Sequence, residues 1–329
     1  MRQFNAVFID AIRLLRARVL FWVTLGISLF AGLLYLSIGF NESGFSVFFG
    51  LYSVESEYLV AGSRMAEQAY LGIFGMFIVN LWLSWIAVIL ALITCAPVFP
   101  EFMQEGSAGV VLSKPISRWK LFLYKYLAGL LFAAIQTAAF CLLVFVALRW
   151  RIGHWNPTVF WAVPLIVLMF SYIWSVMVLT GVKTRSVMAS VLAALVFWCF
   201  AWLAKVVEEK AWMEAELGVS LGVAGPRMLS PEEQEKARED LAMYSLPFKI
   251  LPKTTDTVNL LQRWIVVKGD SGLSSSEIAS LTMTGEPERD EEAEEGMRRH
   301  SPAWIIGSSL AFEAVILFLA GWIFCRRDY

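Results

Sequence analysis

Charge is scarce in this chain. Asp, Glu, Lys and Arg make up 17% of its 329 residues, where a soluble domain carries about a quarter. Hydrophobic residues reach 58%, and the mean hydropathy is +0.63. A water-soluble globule cannot hide that much apolar surface, so the chain reads as an integral membrane protein. Histidine is nearly missing, with only His154 and His300. The four cysteines, Cys95, Cys141, Cys199 and Cys325, stand singly in or beside apolar segments. That spacing argues against a zinc site or a paired redox motif. The chain also lacks G-x-x-x-x-G-K-[ST], H-E-x-x-H, G-x-S-x-G and a Gly-rich dinucleotide fingerprint. Phosphate-cradling and intramembrane hydrolase chemistry therefore have no motif here, and the chain is not expected to be an enzyme.

What is abundant is long apolar runs. A bilayer core needs about 20 such residues per helix, and runs of that kind cover 20–40, 71–99, 121–148, 160–181, 187–204 and 303–325. Backbone groups in hydrocarbon must bond within their own segment, so these are helices. The first run is too long for a signal-peptide core and remains as a span. Before it, Phe4, Phe8, Ile12 and Leu15 fall on one face of an arginine-bearing stretch, which predicts an interfacial helix. Short loops carry Lys and Arg on one side: the N-terminal arginines, Lys114 to Lys125, Lys183 to Arg185, and Arg326 with Arg327. The positive-inside rule then makes both termini cytoplasmic. Arg149 and Arg151 are the local exception. Trp150, Trp155, Trp161, Trp202 and Trp304 lie near span ends, where an aromatic belt belongs.

Residues 205–300 differ from the rest, with 19 Asp and Glu against 12 Lys and Arg. We read them as a soluble, partly helical insert between spans five and six, on the non-cytoplasmic side. Within it "SPEEQEKAREDLAMYSL" predicts a helix with Ser230 as N-cap, Pro231 at the first position and Glu233 closing a capping box. "DTVNLLQRWIVV" predicts a second, and "GEPERDEEAEEGMRR" reads as a solvated tether. The expected fold is thus all-α and polytopic. Six transmembrane helices are preceded by an interfacial elbow helix, with spans one to five and a coupling helix near 101–118 in 1–204, the insert in 205–301, and the last span with its tail in 302–329.

Two features invite a functional reading. Glu313 falls near the middle of the last span, where a carboxylate is costly and must face the bundle interior. It marks a possible intramembrane polar site together with Asn80 and Gln136, or is held by a structural hydrogen bond to Asn80, Gln136 or Ser308. Gly26 and Gly32, and the small patch Gly307, Ser308 and Ser309, suit close helix packing. The second feature is "EGSAGVVLSKPISRWKLFLYKYLAG", Glu105 to Gly129. Pro100 can start a short helix, Pro115 ends it, and Ser117 can cap the next. A short helix gripped by a span suits force transfer from a soluble partner. A plain basic anchor fits the same composition.

That stretch resembles the cytoplasmic coupling segment of ABC transporter type-2 permeases, with its acidic-Gly pair, short helix, "SKPISR" turn and "K-Y/F-L-A/G" start of the next span. "YSLPFKILPKTTDTVNLLQRW" resembles the Pro-containing stretch before the last span in the branch labelled multicopper-enzyme-maturation permeases. The two histidines lie far apart and no Cys or Met cluster occurs, so the branch name brings no copper role. The resemblance implies a permease subunit working as an exporter, in a bacterial cytoplasmic (inner) membrane, without nucleic acid. It implies a dimer with a second copy or paralogue, set among membrane lipid. A separate ATP-binding cassette ATPase would supply ATP and Mg chemistry, leaving no cofactor in this chain. Its contact would be Glu105, Gly106, Gly109, Val110, Leu112, Lys114, Pro115, Ser117 and Arg118. The competing expectation is a non-transporting scaffold or sensor that acts through the acidic insert.

Overall fold

The computed structural model describes residues 19–103, 117–153, 155–222, 225–265 and 299–326. The interfacial helix expected before the first span, most of the coupling segment and the acidic tether lie outside them. Six helices are long and apolar enough to cross a membrane. They are α1 (Val19–Ser37), α2 (Arg64–Val98), α3 (Arg118–Ile152), α4 (Pro157–Thr184), α5 (Val187–Leu217) and, last in the chain, α8 (Pro302–Arg326). Each matches an apolar run of the sequence. Several are longer, because a helix carries on into water wherever its backbone bonds continue. At a rise of 1.5 Å per residue, α5 extends about 46 Å, well past a hydrocarbon core of about 30 Å.

α4 is the central helix: 67% of its most apolar stretch is buried in the protein, against 22% for α8 and 28% for α5. It packs on α3, α5 and α8. Polar pairs join the helices where lipid offers no partner. Thr24 of α1 and Thr94 of α2 share a hydrogen bond of 3.0 Å. Tyr35 and Tyr70 stack at 4.6 Å, near the end of α1 and early in α2. Of the glycines expected to permit packing, Gly32 does so, since a Cβ there would lie 3.1 Å from Leu143 of α3. At Gly26 and Gly307 no atom of another element lies within 4 Å of that position among the described residues.

α2 is irregular. Its stretch Phe74–Ile86 is wound as a π-helix, a rare form that often accompanies functional sites.

The ends of α1, α3 and α5 and the starts of α2, α4 and α8 share one end of the bundle, called here the insert end. Arg149 and Arg151, the exceptions to the charge rule, are explained there. Arg151 Nη2 donates to the carbonyl of Leu36 at 3.1 Å, and Arg149 donates to that of Gly153. Both cations sit on carbonyls at helix C-termini, where the orphan acceptors and the helix dipole favour them. The loop after α1 forms a three-stranded antiparallel sheet that the sequence reading lacked, β1 (Gly39–Asn41), β2 (Gly44–Val47) and β3 (Tyr52–Glu55). Gly44 turns it at φ 141°, with its Cβ direction blocked 2.4 Å away by the Val54 carbonyl. Beside it a cavity of 330 Å³ is lined by Phe40, Ser63, Glu67, Tyr70, Trp150 and Arg151.

After α5 come the short strands β4 (Val219–Gly222) and β5 (Gly225–Met228), then α6 (Pro231–Ile250) and α7 (Thr254–Trp264). α6 opens with the expected capping box: Ser230 Oγ accepts from the Glu233 N–H, and the Glu233 carboxylate accepts from the Ser230 N–H at 2.9 Å. That N–H and neighbouring Arg227 hold the Glu233 carboxyl below the usual carboxylate range. α7 departs from the expectation of a separate soluble lobe. It packs against α2, α4, α5 and α8, with Thr257, Leu260 and Leu261 wholly buried. Its apolar face recurs at helical spacing and is buried against the bundle.

Candidate functional site

The coupling segment is described only at its flanks. Glu105, Gly106, Gly109, Val110, Leu112, Lys114 and Pro115 lie outside the described residues. Ser117 takes the N-cap position of α3, but its side chain makes no capping hydrogen bond. Arg118, expected to face a partner, is engaged inside the chain. Its Nη1 donates to the Cys325 carbonyl at 2.9 Å and so straps the start of α3 to the last turn of α8. The other flank is held by aromatics. Phe99 lies 5.3 Å from Phe122, 6.0 Å from Trp174 and 6.3 Å from Phe324. Phe102 stacks on Phe324, and the Lys125 ammonium sits 4.0 Å above the Phe102 ring. Both flanks are therefore fastened where the start of α3 meets the end of α8, with Phe99 also reaching Trp174 within α4.

The three polar residues expected to share an intramembrane site do not meet. Asn80 accepts a hydrogen bond from Gln262 of α7, opposite the π-wound stretch. Gln136 donates to Ser28 Oγ at 3.0 Å, joining α3 to α1. Glu313 of α8 pairs with neither, nor with Ser308, which bonds back to its own helix. Its partners are Tyr126 of α3, whose hydroxyl donates at 2.5 Å, and Ser171 of α4, at 2.7 Å. The carboxyl faces the interior, as the cost of burial demands, and ties three spans together. Replacing Glu313 with Gln keeps an acceptor for Tyr126 and is expected to leave thermal stability in detergent nearly unchanged. Glu313→Leu removes the shared acceptor, leaving the Tyr126 hydroxyl the Ser171 carbonyl at 3.2 Å and the Ser171 hydroxyl the Leu168 carbonyl at 2.7 Å, and should cost about 1 kcal/mol, seen as a lower midpoint. Equal midpoints for the two variants would remove this structural role.

The densest group of buried charge was not anticipated. On α5, Lys205 Nζ lies 3.4 Å from Glu208 and 3.2 Å from Asp256 of α7. Glu208 also accepts from Arg299, just before α8. Lys205, Glu208 and Asp256 are each 4% exposed. The turn between α6 and α7 is pinned alongside: the Lys253 N–H donates to Ser309 Oγ at 2.9 Å, and its Nζ donates to the carbonyls of Lys249 and Leu251. The Lys253 ammonium also faces Phe248 and Trp304. Burial pushes its amine down to about 8, with the Asp256 carboxylate acting the other way. Residues 205–300 read as a soluble insert, but Lys205 and Glu208 at its start are buried where α7 packs against α5. Among the described residues, no group of three His, Cys, Asp or Glu side chains is placed to hold a metal ion. Comparison with protein families, curated proteins and solved structures finds no match to this chain.

Proposed function

We propose that this chain is the membrane-spanning permease subunit of an ATP-binding cassette transporter, working as an exporter. A separate ATPase subunit docks on the coupling segment at 101–118 and supplies ATP hydrolysis with its Mg. The observation that carries this reading is the double fastening of that segment. Phe99 and Phe102 on one side and Arg118 on the other grip α3, α4 and α8, and those three helices meet again at Glu313, Tyr126 and Ser171. In this reading a displacement of the segment is passed through these flanking contacts to the spans. In this reading the chain pairs with a second permease copy or paralogue in a bacterial inner membrane, with both termini cytoplasmic. α7 is lodged in the bundle, which favours a transport path over a scaffold acting through a free-standing insert.

The test is co-purification from native membranes. Gly106→Trp and Glu105→Ala are expected to lower recovery of an ATP-binding cassette subunit, identified by mass spectrometry, at least fivefold. Abundance of the chain in the membrane should stay unchanged. Full recovery of the ATPase with both variants would leave the segment as a basic anchor and end the proposal.

A further inference from the structure

The sheet after α1 differs in character between its two ends. β1 leaves the end of α1 and β2 returns, so with Gly39 opposite Ser46 and Val47 opposite Tyr52 the loop 48–51 lies back beside the end of that helix. The Phe48 N–H donates to Ser37 Oγ, on the last residue of α1, at 3.3 Å. This returning end carries Phe48, Phe49, Leu51 and Tyr52, all more than half exposed, with Leu51 at 91%. So large an exposed apolar tip marks an interaction surface. The opposite end is polar. Asn41, Glu42, Ser43 and Glu55 are exposed there, and the Ser56 N–H closes it by donating to the Ser43 carbonyl at 3.1 Å. At about 3.3 Å per strand residue, Glu42 lies about 10 Å farther from α1 than the returning end does.

The length of α1 sets the level at which that tip stands. Its 19 residues, at 1.5 Å each, cover about 28 Å, close to a hydrocarbon core of about 30 Å. Ser37 therefore lies at the border between hydrocarbon and headgroups, where aromatic side chains are favoured. The exposed apolar surface of α1 leads toward the same border through Ile27, Phe30 and Leu33. The backbone agrees. Phe48 and Phe49 both take left-handed φ, at 53° and 59°. Glycine would turn the chain there without steric cost, whereas two phenylalanines do so under strain. Rings left in water offset none of that cost, and rings moved into lipid do. We propose that loop 48–52 is a lipid-dipping wedge: Phe48, Phe49, Leu51 and Tyr52 enter the leaflet at the insert end beside α1, while the acidic end of the sheet stays in water. Charge narrows the lipid it takes. Between positions 39 and 63 the chain has Glu42, Glu55 and Glu57 and neither Lys nor Arg. An anionic headgroup finds no cation there, so the apolar side chains alone hold the loop, with no preference for anionic lipid. The inference stands independently of whether an ATPase docks on the chain.

Photo-crosslinking of the full-length chain in phosphatidylcholine vesicles tests the wedge, with p-benzoylphenylalanine replacing Phe49, Leu51 or Glu42 one at a time. Lipid adducts, read by mass spectrometry of the labelled peptide, are expected at Phe49 and Leu51 in at least about fivefold higher yield than at Glu42. Exchanging about a third of the lipid for phosphatidylglycerol should change the yield at Leu51 by less than about twofold. Leu51 is so exposed that replacing it disturbs no packing, and its yield decides the matter where the Phe49 variant is poorly recovered. A smaller margin at Leu51 over Glu42 overturns the proposal. So does a crosslink to a second copy of the chain, or to another segment of the same chain, in place of lipid, and so does a yield that requires anionic lipid.

Discussion

Glu208→Ala should be among the most damaging single substitutions in this chain. The carboxylate is 4% exposed and joins two cations, Lys205 at 3.4 Å and Arg299. Among the described residues, removing it leaves Arg299 without a paired carboxylate and Lys205 with Asp256 alone. The cost comes less from lost attraction than from cations left in a place where water cannot solvate them. Breaking a buried pair on one side costs about 3–5 kcal/mol. The lower end applies, because the Arg299 side chain is 22% exposed and can turn toward water. Thermal unfolding in detergent measures the single variants and the Glu208→Ala, Arg299→Ala double variant. The double variant should be less destabilised than the sum of the singles, with a coupling above about 1 kcal/mol. A loss below about 0.5 kcal/mol for Glu208→Ala would show that the cluster adds nothing to stability.

Gly129→Ala should cost more than Gly321→Ala, although the distances alone argue the reverse. A Cβ at 321 would lie 2.2 Å from the Trp119 ring, whereas one at 129 would lie 2.9 Å from Trp174. The difference is whether the neighbour can yield. Trp119 is 42% exposed and can swing outward. Trp174 is 1% exposed, walled by Phe99 and Phe170, and its indole N–H donates to the Tyr126 carbonyl. Overpacking such a site costs about 1–3 kcal/mol, more than the helix-propensity gain of about 1 kcal/mol from replacing glycine. The shift would also disturb Tyr126, the partner of Glu313. The fraction of protein surviving a heat step, read by size-exclusion chromatography, ranks the two. If Gly321→Ala proves the worse, the enclosure argument is wrong.

The loop after α1 and the lodged helix show why legibility was uneven. A sheet over 39–55 does not follow from a stretch that starts at the end of one apolar run and lies before the next. Its signal was present in the alternation around Phe45 and Val47 and in the turn glycine Gly44. α7 was legible as a helix, since its apolar positions repeat at helical spacing. Its location was not, because that rests on Lys253 reaching Ser309 and Gln262 reaching Asn80, pairs far apart in the chain. Arg118 likewise read as a partner-facing cation, since only the fold places the Cys325 carbonyl beside it.

By itself the sequence determined the membrane class, the number of spans, the start of α6 at Ser230 and the inward-facing position of Glu313. Each follows from a local requirement: hydrocarbon needs an unbroken apolar run, a helix start needs its first amides satisfied, and a mid-span carboxyl cannot face lipid. Tertiary structure alone decided which polar groups meet. Tyr126 and Glu313 are separated by 187 positions, and their contact depends on how far each helix is rotated about its own axis. No local pattern encodes that angle; it is set by the packing of whole helix faces, with Trp174 against Gly129 and the aromatic group around Phe99 fixing how α3, α4 and α8 come together.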